Sequence, residues 1–432
     1  MGAVEANNAA QWRQLVHAAR RSGKQGHLWW QGSGGRRGVR RPEDGEIADS
    51  PQPVAVECPP SASQGRLSDM SSAWHPGQCM VVGFEGTAVP DDLSTQIRNG
   101  QVGGVILFAR NIESPEQVRA LIDALNGLAP ADAPLIIGVD QEGGKVQRMR
   151  APWTEWPPMR TFGDAGDLEL STQMGRALAR ELVREGFNLN FAPCVDVDSN
   201  PENPVIGDRS FGADSATVGA HAVAMIEGMQ AGGVAGCAKH FPGHGDTDMD
   251  SHLDLPRLAH GFDRLRRVEL PPFVAAAKAG VASMMTAHVL FSAIDDKRPA
   301  TMSPDVLHLV RAEVGFTGLL FTDDLEMGAV AKHFSVQDRT EGPLRAGVDV
   351  LLACKQADLR AEMISRLERL PDTLVESAVT RVRDFKAKWV RAPGALIMDP
   401  HALDGPSWER HEALATRARE GAASRTPPAP DA

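Results

Sequence analysis

The stretch "VAGCAKHFPGHGDTDMDSH", residues 234–252, changes character in its middle. Val234 to Ala238 are small or apolar without a break, which is how a strand covered on both faces reads. Lys239 follows at once, and the loop beyond it carries His240, His244 and His252 with Asp246, Asp248 and Asp250. An apolar run that passes straight into a polar loop is the building unit of a parallel α/β fold, in which all strands point their C-terminal ends to one side.

Seven further runs obey the same rule: "QCMVVGF" (78–84), "VGGVILFA" (102–109), "APLIIGV" (133–139), "FNLNFAPCVDV" (187–197), "ASMMTAHVL" (282–290), "GLLFTDD" (318–324) and "GVDVLLAC" (347–354). Amphipathic helices with recognisable ends fit between them. Ser114-Pro115-Glu116-Gln117 offers an N-cap serine, a proline at the first helical position and a glutamine at the third, after which Val118, Leu121, Ile122 and Leu125 recur at helical spacing. Ser303-Pro304 opens another helix, and Gly186 and Gly315 stand where C-caps belong. Eight strand-helix units in about 280 residues predict a single (β/α)8 TIM-like barrel, with an open doubly wound sheet as the alternative.

Outside this region the chain loses its period. Residues 1–70 mix Gly, Pro, Ser and Arg and are expected to be a low-complexity, disordered leader, with Met70 a candidate start of the biological chain. The barrel is expected over 71–392. Residues 393–432 read as a tail with one short helix, Ser407 to Glu420, followed by a disordered Pro/Ala end. A formal charge of −11 over 432 residues argues against nucleic acid or an anionic membrane as partner. The five cysteines, 58, 79, 194, 237 and 354, form no CxxC pair, and four sit in apolar runs, as expected in a reducing compartment. With no run of ~20 apolar residues and no secretory h-region, the cytoplasm is the expected location and a monomer the expected state.

A barrel gathers its strand ends on one rim. There the chain places Arg110-Asn111, "DQEGGKVQR" (140–148), Asp196, "SNPENPVIGDRSFG" (199–212), the 239–252 loop, His288 and "TDD" (322–324). Such carboxylates, imidazoles and cations suit a ligand rich in hydroxyls. A calcium loop beginning at Asp246 is excluded, since Ser251 replaces the glycine at its sixth position and Arg257 the glutamate at its twelfth. Zinc on His240, His244 and His252 matches no standard ligand spacing, and no GxxxxGK[ST] phosphate loop occurs, so no metal or cofactor is expected. On spacing alone the loop is either catalytic or a solvated turn, and Asp323 either faces the ligand or caps a helix beside Thr322 and Asp324. His221 and His308 read as surface or structural residues, and His288 as a packing residue or a neighbour of the ligand-contacting groups.

The four motifs "GVDQEGGKVQR", "NPVIGDRSFG", "KHFPGHGDTDMDSH" and "FTDDLEM", in this order at these strand ends, resemble glycoside hydrolase family 3, specifically its β-N-acetylglucosaminidase branch in peptidoglycan recycling. The resemblance covers about residues 76 to 390. It implies a retaining exo-enzyme that removes non-reducing terminal β-1,4-linked N-acetylglucosamine from a disaccharide or muropeptide such as GlcNAc-anhydroMurNAc. It further implies Asp323 as nucleophile, His252 as acid/base with Asp250 as its dyad partner, and Asp140, Arg148, Arg209, Lys239 and His240 as sugar-binding residues. The chemistry is consistent: retaining hydrolysis usually uses two carboxyl groups about 5 Å apart, and here an imidazole would replace the second. Imidazole titrates near neutrality and can donate and then accept a proton, while a carboxylate partner orients the ring. A β-glucosidase or β-xylosidase, an N-acetylglucosamine phosphorylase and an inactive sugar-binding protein remain as alternatives.

Overall fold

The computed structural model describes residues 71–390 and 408–425. The leader, the candidate start at Met70 and the end of the tail lie outside the described residues. All eight apolar runs become strands of one closed parallel barrel: β1 (Met80–Val82), β2 (Gly104–Leu107), β3 (Ile136–Val139), β4 (Leu189–Asn190), β5 (Ala235–Phe241), β6 (Ser283–Thr286), β7 (Leu319–Asp324) and β8 (Val350–Ala353). β1 pairs with β8, Met80 opposite Leu351, so the sheet closes and the open-sheet alternative falls.

The expected helix signals work as physical caps. The Ser114 hydroxyl accepts from the backbone N–H of Gln117 at the start of Pro115–Leu128, and Ser303 does the same for Val306 in Pro304–Ala312. Gly186 closes Leu168–Glu185 in the left-handed region at φ 100. Gly315 instead lies two residues beyond its helix's C-cap, Glu313.

Side chains from alternate strand positions fill the barrel, among them Val81, Ile106, Leu189, Phe191, Met285, Phe321 and Leu352. Phe191 and Phe321 meet edge to face with ring centres 5.3 Å apart. Of the eleven-residue run at 187–197, only Leu189–Asn190 enters the ladder as strand. Pro193 has no N–H to donate, and pairing with β5 resumes only as a single bridge between Cys194 and Lys239.

Two small ribbons shape the rim. Gln141–Gly143 pairs antiparallel with Val146–Gln147 directly after β3, and Arg257–Leu258 pairs parallel with Leu290–Phe291. The tail helix spans Trp408–Arg425, longer than expected at its C-terminal end, and buries His411, Ala415 and Ala418 against the helices Met159–Ala165 and Leu168–Glu185. Among the described residues no helix is long and apolar enough to cross a membrane.

Candidate active site

The rim at the C-terminal strand ends carries a row of buried charges of alternating sign. Lys239, in the last turns of β5, places Nζ 2.8 Å from Asp140 at the end of β3 and 2.7 Å from Glu142 in the hairpin that follows. Glu142 in turn accepts from Arg209 through Nε at 2.9 Å and a terminal nitrogen at 2.8 Å, the two-pronged geometry a planar guanidinium favours. Arg148 reaches the other oxygen of Asp140 at 3.4 Å. Burial pushes the Glu142 and Asp140 carboxyls up, yet the adjacent cations overcome it and hold both below the ordinary carboxylate range. Burial likewise opposes charge on Lys239, and Asp140 with Glu142 reverses it, so the ammonium persists. Two of its three N–H donors are committed, and one remains for a ligand.

Asp196, one turn beyond β4, organises the next layer. Its oxygens accept from the backbone N–H of His240 at 3.1 Å, the ring Nδ1 of His240 at 2.7 Å, the backbone N–H of His244 at 2.7 Å and the Cys194 thiol at 3.2 Å. Burial raises this carboxyl, but His240 and His244 bring it down to about 2. The other ring nitrogen of His240 lies 3.4 Å from Arg209. His244 uses both ring nitrogens, joining Thr247 and Ser251 hydroxyls at 2.9 Å each, and burial lowers it to about 4, so it is neutral.

The adjacent aspartates at the end of β7 are driven apart. Burial pushes Asp323 up, but His240, His288, the backbone N–H of Asp324 at 2.8 Å and Lys239 win and keep it ionised. Burial lifts Asp324 to about 7, with the charges of Glu326 and Asp323 adding to the effect. Its carboxyl accepts from the backbone N–H groups of Glu326 and Cys354, tying β7 to the end of β8. His288 bonds Thr301 at Nδ1 and donates from Nε2 to the Asp324 carbonyl, so it buttresses this strand end from within the core.

Asp250 and His252 sit on the loop after β5. His252 donates Nδ1–H to Asp250 Oδ1 at 2.8 Å and its backbone N–H to the same oxygen at 2.8 Å, which leaves Nε2 uncommitted. The His252 side chain is 64% exposed. The loop is pinned at both ends. Asn203 holds the carbonyl of His244, and the backbone N–H groups of Gly328 and Ala329 hold the carbonyls of His252 and Ser251 at 3.2 and 3.1 Å. Lys332 and His333 add contacts to Leu253 and Asp254. A Cβ on Gly328 would come within 2.6 Å of the carbonyl oxygens of His252 and Leu253, so the close approach demands glycine.

A cavity of about 300 Å³ lies between these groups. Asp140, Arg148, Arg209, Lys239, His240, His252 and Asp323 all line it, and Asp250 bonds the His252 ring; its apolar lining comes from Ile106, Phe108, Val146, Val205, Met285 and Leu352. Every candidate residue is therefore gathered at one site. Glu142 and Gly328 were not singled out by sequence, although Glu142 stands two residues from Asp140, the spacing that puts both on one face of a strand, and Asp196, His244 and Asp324 were noted there without the partners the structure gives them. The zinc trio His240, His244 and His252 is not a ligand set, because His244 has spent both nitrogens. Cys194, Asp196 and His240 do converge within 4.8 Å, but they bond one another and burial raises the thiol well above its usual range, against the thiolate a metal requires.

The model for the glycosyl hydrolase family 3 N terminal domain matches residues 74–385, a span that contains the whole cavity. The chain belongs to glycoside hydrolase family 3. Beta-hexosaminidase A from Pseudoalteromonas piscicida is 36% identical over 360 residues, covering 76% of this chain and 60%, less than two thirds, of its own. The beta-hexosaminidase of Thiobacillus denitrificans is 39% identical over 296 residues, 67% of this chain and 81% of its own. Among solved structures, a family 3 β-N-acetylglucosaminidase from Paenibacillus sp. superposes with a TM-score of 0.74 at 35% identity, covering 82% of this chain and 68% of that one. NagZ from Neisseria gonorrhoeae in complex with N-trifluoroacetyl-D-glucosamine gives 0.69 at 31%, covering 79% and 98%. The family 3 chain is thus a glycoside hydrolase of the β-hexosaminidase group.

Proposed function

We propose that this family 3 hydrolase is a retaining exo-β-N-acetylglucosaminidase acting on peptidoglycan fragments, GlcNAc-anhydroMurNAc and its peptides. One observation carries the reading: an ionised, half-buried Asp323 and the free Nε2 edge of a dyad histidine line one cavity together with a fixed array of charged hydrogen-bonding groups. In the first step an Asp323 oxygen attacks the anomeric carbon, the bond to the leaving oxygen breaks, and His252 hands that oxygen its proton. In the second, His252 takes a proton from water as the water oxygen attacks the same carbon and releases the Asp323 carboxylate, so two inversions give net retention. Asp250 keeps Nδ1–H engaged and so holds the ring in one orientation and tautomer. Asp140, Arg148, Arg209, Lys239 and His240 bind the sugar hydroxyls and the acetamido group. The proposed setting is the cytoplasm, consistent with four described cysteines that are buried free thiols.

The test is a fluorinated N-acetylglucosaminyl donor that reacts fast and hydrolyses slowly, followed by peptide mapping. The expected result is one sugar attached at Asp323. An adduct on another residue, or turnover of the natural disaccharide by Asp323→Asn at the wild-type rate, removes the assignment.

A further inference from the structure

The helix Trp408–Arg425 lies beyond residues 74–385 that match the family domain, yet it is fastened to residues 154–156, which lie between the segments that carry the cavity's arginines. Its buried face, His411, Ala415 and Ala418, recurs at helical spacing. His411 Nδ1 lies 2.6 Å from Glu181 Oε1, both side chains being at most 5% exposed, and the same oxygen accepts the Thr154 hydroxyl at 2.6 Å. Glu412 accepts from the backbone N–H of Glu155 at 3.2 Å, and Arg419 donates to its carbonyl at 2.8 Å. Three consecutive residues, Thr154 to Trp156, are thereby held from outside, for the Trp156 ring also lies 6.0 Å from that of His411.

From this segment two routes lead to the cavity. On one, the Gln147 side chain bonds the carbonyl of Thr154 at 2.7 Å and the N–H of Trp156 at 3.1 Å, and the Gly144 N–H bonds the carbonyl of Trp156 at 2.9 Å. These bonds fix the hairpin from which Arg148 extends. On the other, the helix Met159–Ala165 continues the chain, and its Arg160 bonds Asp198 at 2.6 Å and the carbonyls of Gly207 and Ser210 on either side of Arg209. Gly163 is flush with this loop, since a Cβ there would come 1.7 Å from the Phe211 carbonyl oxygen. Both arms of the site therefore rest on a layer whose outer side is covered by Trp408–Arg425.

We propose that Trp408–Arg425 is a positioning element of the hydrolase: by clamping residues 154–156 it sets Arg148 and Arg209 for the sugar, and His411 is its fastening. This rests on the reading of both arginines as sugar-binding. The test compares wild type, His411→Ala, His411→Gln, the surface pair Glu412→Ala/Arg419→Ala, and Met363→Ala on the opposite side of the barrel as a control for general loss of stability. Kinetics on an aryl N-acetylglucosaminide and calorimetric binding of N-acetylglucosamine are measured with Tm for each. His411→Ala and the surface pair should raise KM and Kd by about fivefold with kcat changed less than about twofold, a loss of ground-state binding. His411→Gln, which can still donate to Glu181, should recover most of it, and Met363→Ala should lower Tm at unchanged KM. If His411→Ala and the surface pair lower Tm alone, with KM and Kd as in wild type, the brace is overturned. A wild type that neither binds N-acetylglucosamine nor cleaves the glycoside fails the functional reading instead, and the two failures are distinct.

Discussion

The two ends of the stretch Lys239–His252 are built by opposite rules. Lys239 has a side chain 3% exposed and two carboxylates at 2.8 and 2.7 Å; the His252 side chain is 64% exposed and its ring bonds one carboxylate, two residues away on its own loop. The first arrangement is rigid, because no member of the Asp140–Lys239–Glu142–Arg209 row can leave without stranding a buried charge. In the second the ion pair is local and solvent competes for it, so the side chains are cheap to displace although the backbone is moored to Gly328 and Ala329. Two of the three large apolar side chains exposed among the described residues, Met249 and Leu253, also lie on this loop. On the proposed reading the difference is a division of labour: the fixed row holds the sugar in place, and the dyad supplies the proton from the more exposed loop beside it.

The largest effect that would sharpen this contrast belongs to the exposed end. Removing the ring in His252→Ala should cut kcat on the natural disaccharide by about a hundredfold to ten-thousandfold, the usual range for a lost general acid/base, at nearly unchanged Tm. A nitrophenyl glycoside, whose leaving group needs little protonation, should lose much less in its first step. Equal losses on both substrates would break the acid assignment.

Next comes the buried end. Glu142→Ala leaves Lys239 and Arg209 without their shared partner, and breaking a buried ion pair costs about 3–5 kcal/mol. Chemical denaturation should show a loss of that size, while Asp250→Ala, at a half-exposed pair, should show less than about 1 kcal/mol. Similar stabilities for the two variants would erase the distinction between row and loop.

Between these extremes stands Gly328→Ala, aimed at the loop's mooring. Gly328 opens the short helix Gly328–Ala331. Its added methyl would meet the carbonyls of His252 and Leu253, so the dyad should shift while the barrel stays intact. The expected outcome is a fall in kcat on the disaccharide on the order of tenfold to a hundredfold with the cooperative unfolding transition retained. Unchanged kcat would mean that this mooring does not position the ring.

How far the sequence reveals this depends on the range of the forces involved. The barrel is legible because its strands are buried apolar runs and several helices carry local N-caps, as at Ser114 and Ser303. The strand-end residues are legible because a parallel barrel sends them all to one rim. What is hidden depends on contacts between distant segments. Gly328 looks like an ordinary loop glycine until the His252 carbonyl is placed against it, and the alanine-rich stripe of Trp408–Arg425 is too weakly apolar to announce where it docks. Asp324 is hidden for another reason: its neighbour Asp323 is chemically identical, and only the placement of His240, His288 and Lys239 separates them.

That separation supports the smallest expected effect, on stability against pH. In the folded chain burial holds the Asp324 proton up to about 7, whereas an unfolded aspartate releases it near 3.9. Between these values the folded state binds a proton that the unfolded state has lost, so the contribution of Asp324 is complete below about pH 4, declines as pH rises, and is gone above about 7. Asp323 and Asp140, held low, pull in the opposite direction as the medium is acidified, so the wild-type curve alone mixes both signs. The difference between Asp324→Asn and wild type isolates one of them, because asparagine does not titrate. Relative to wild type the variant should gain stability steadily from pH 5 to pH 7.5, by about a kcal/mol or more, in denaturant melts at fixed ionic strength. A difference that stays flat across that interval would mean that Asp324 is already ionised beside Asp323, and that the rim tolerates two adjacent charges where burial argues for one.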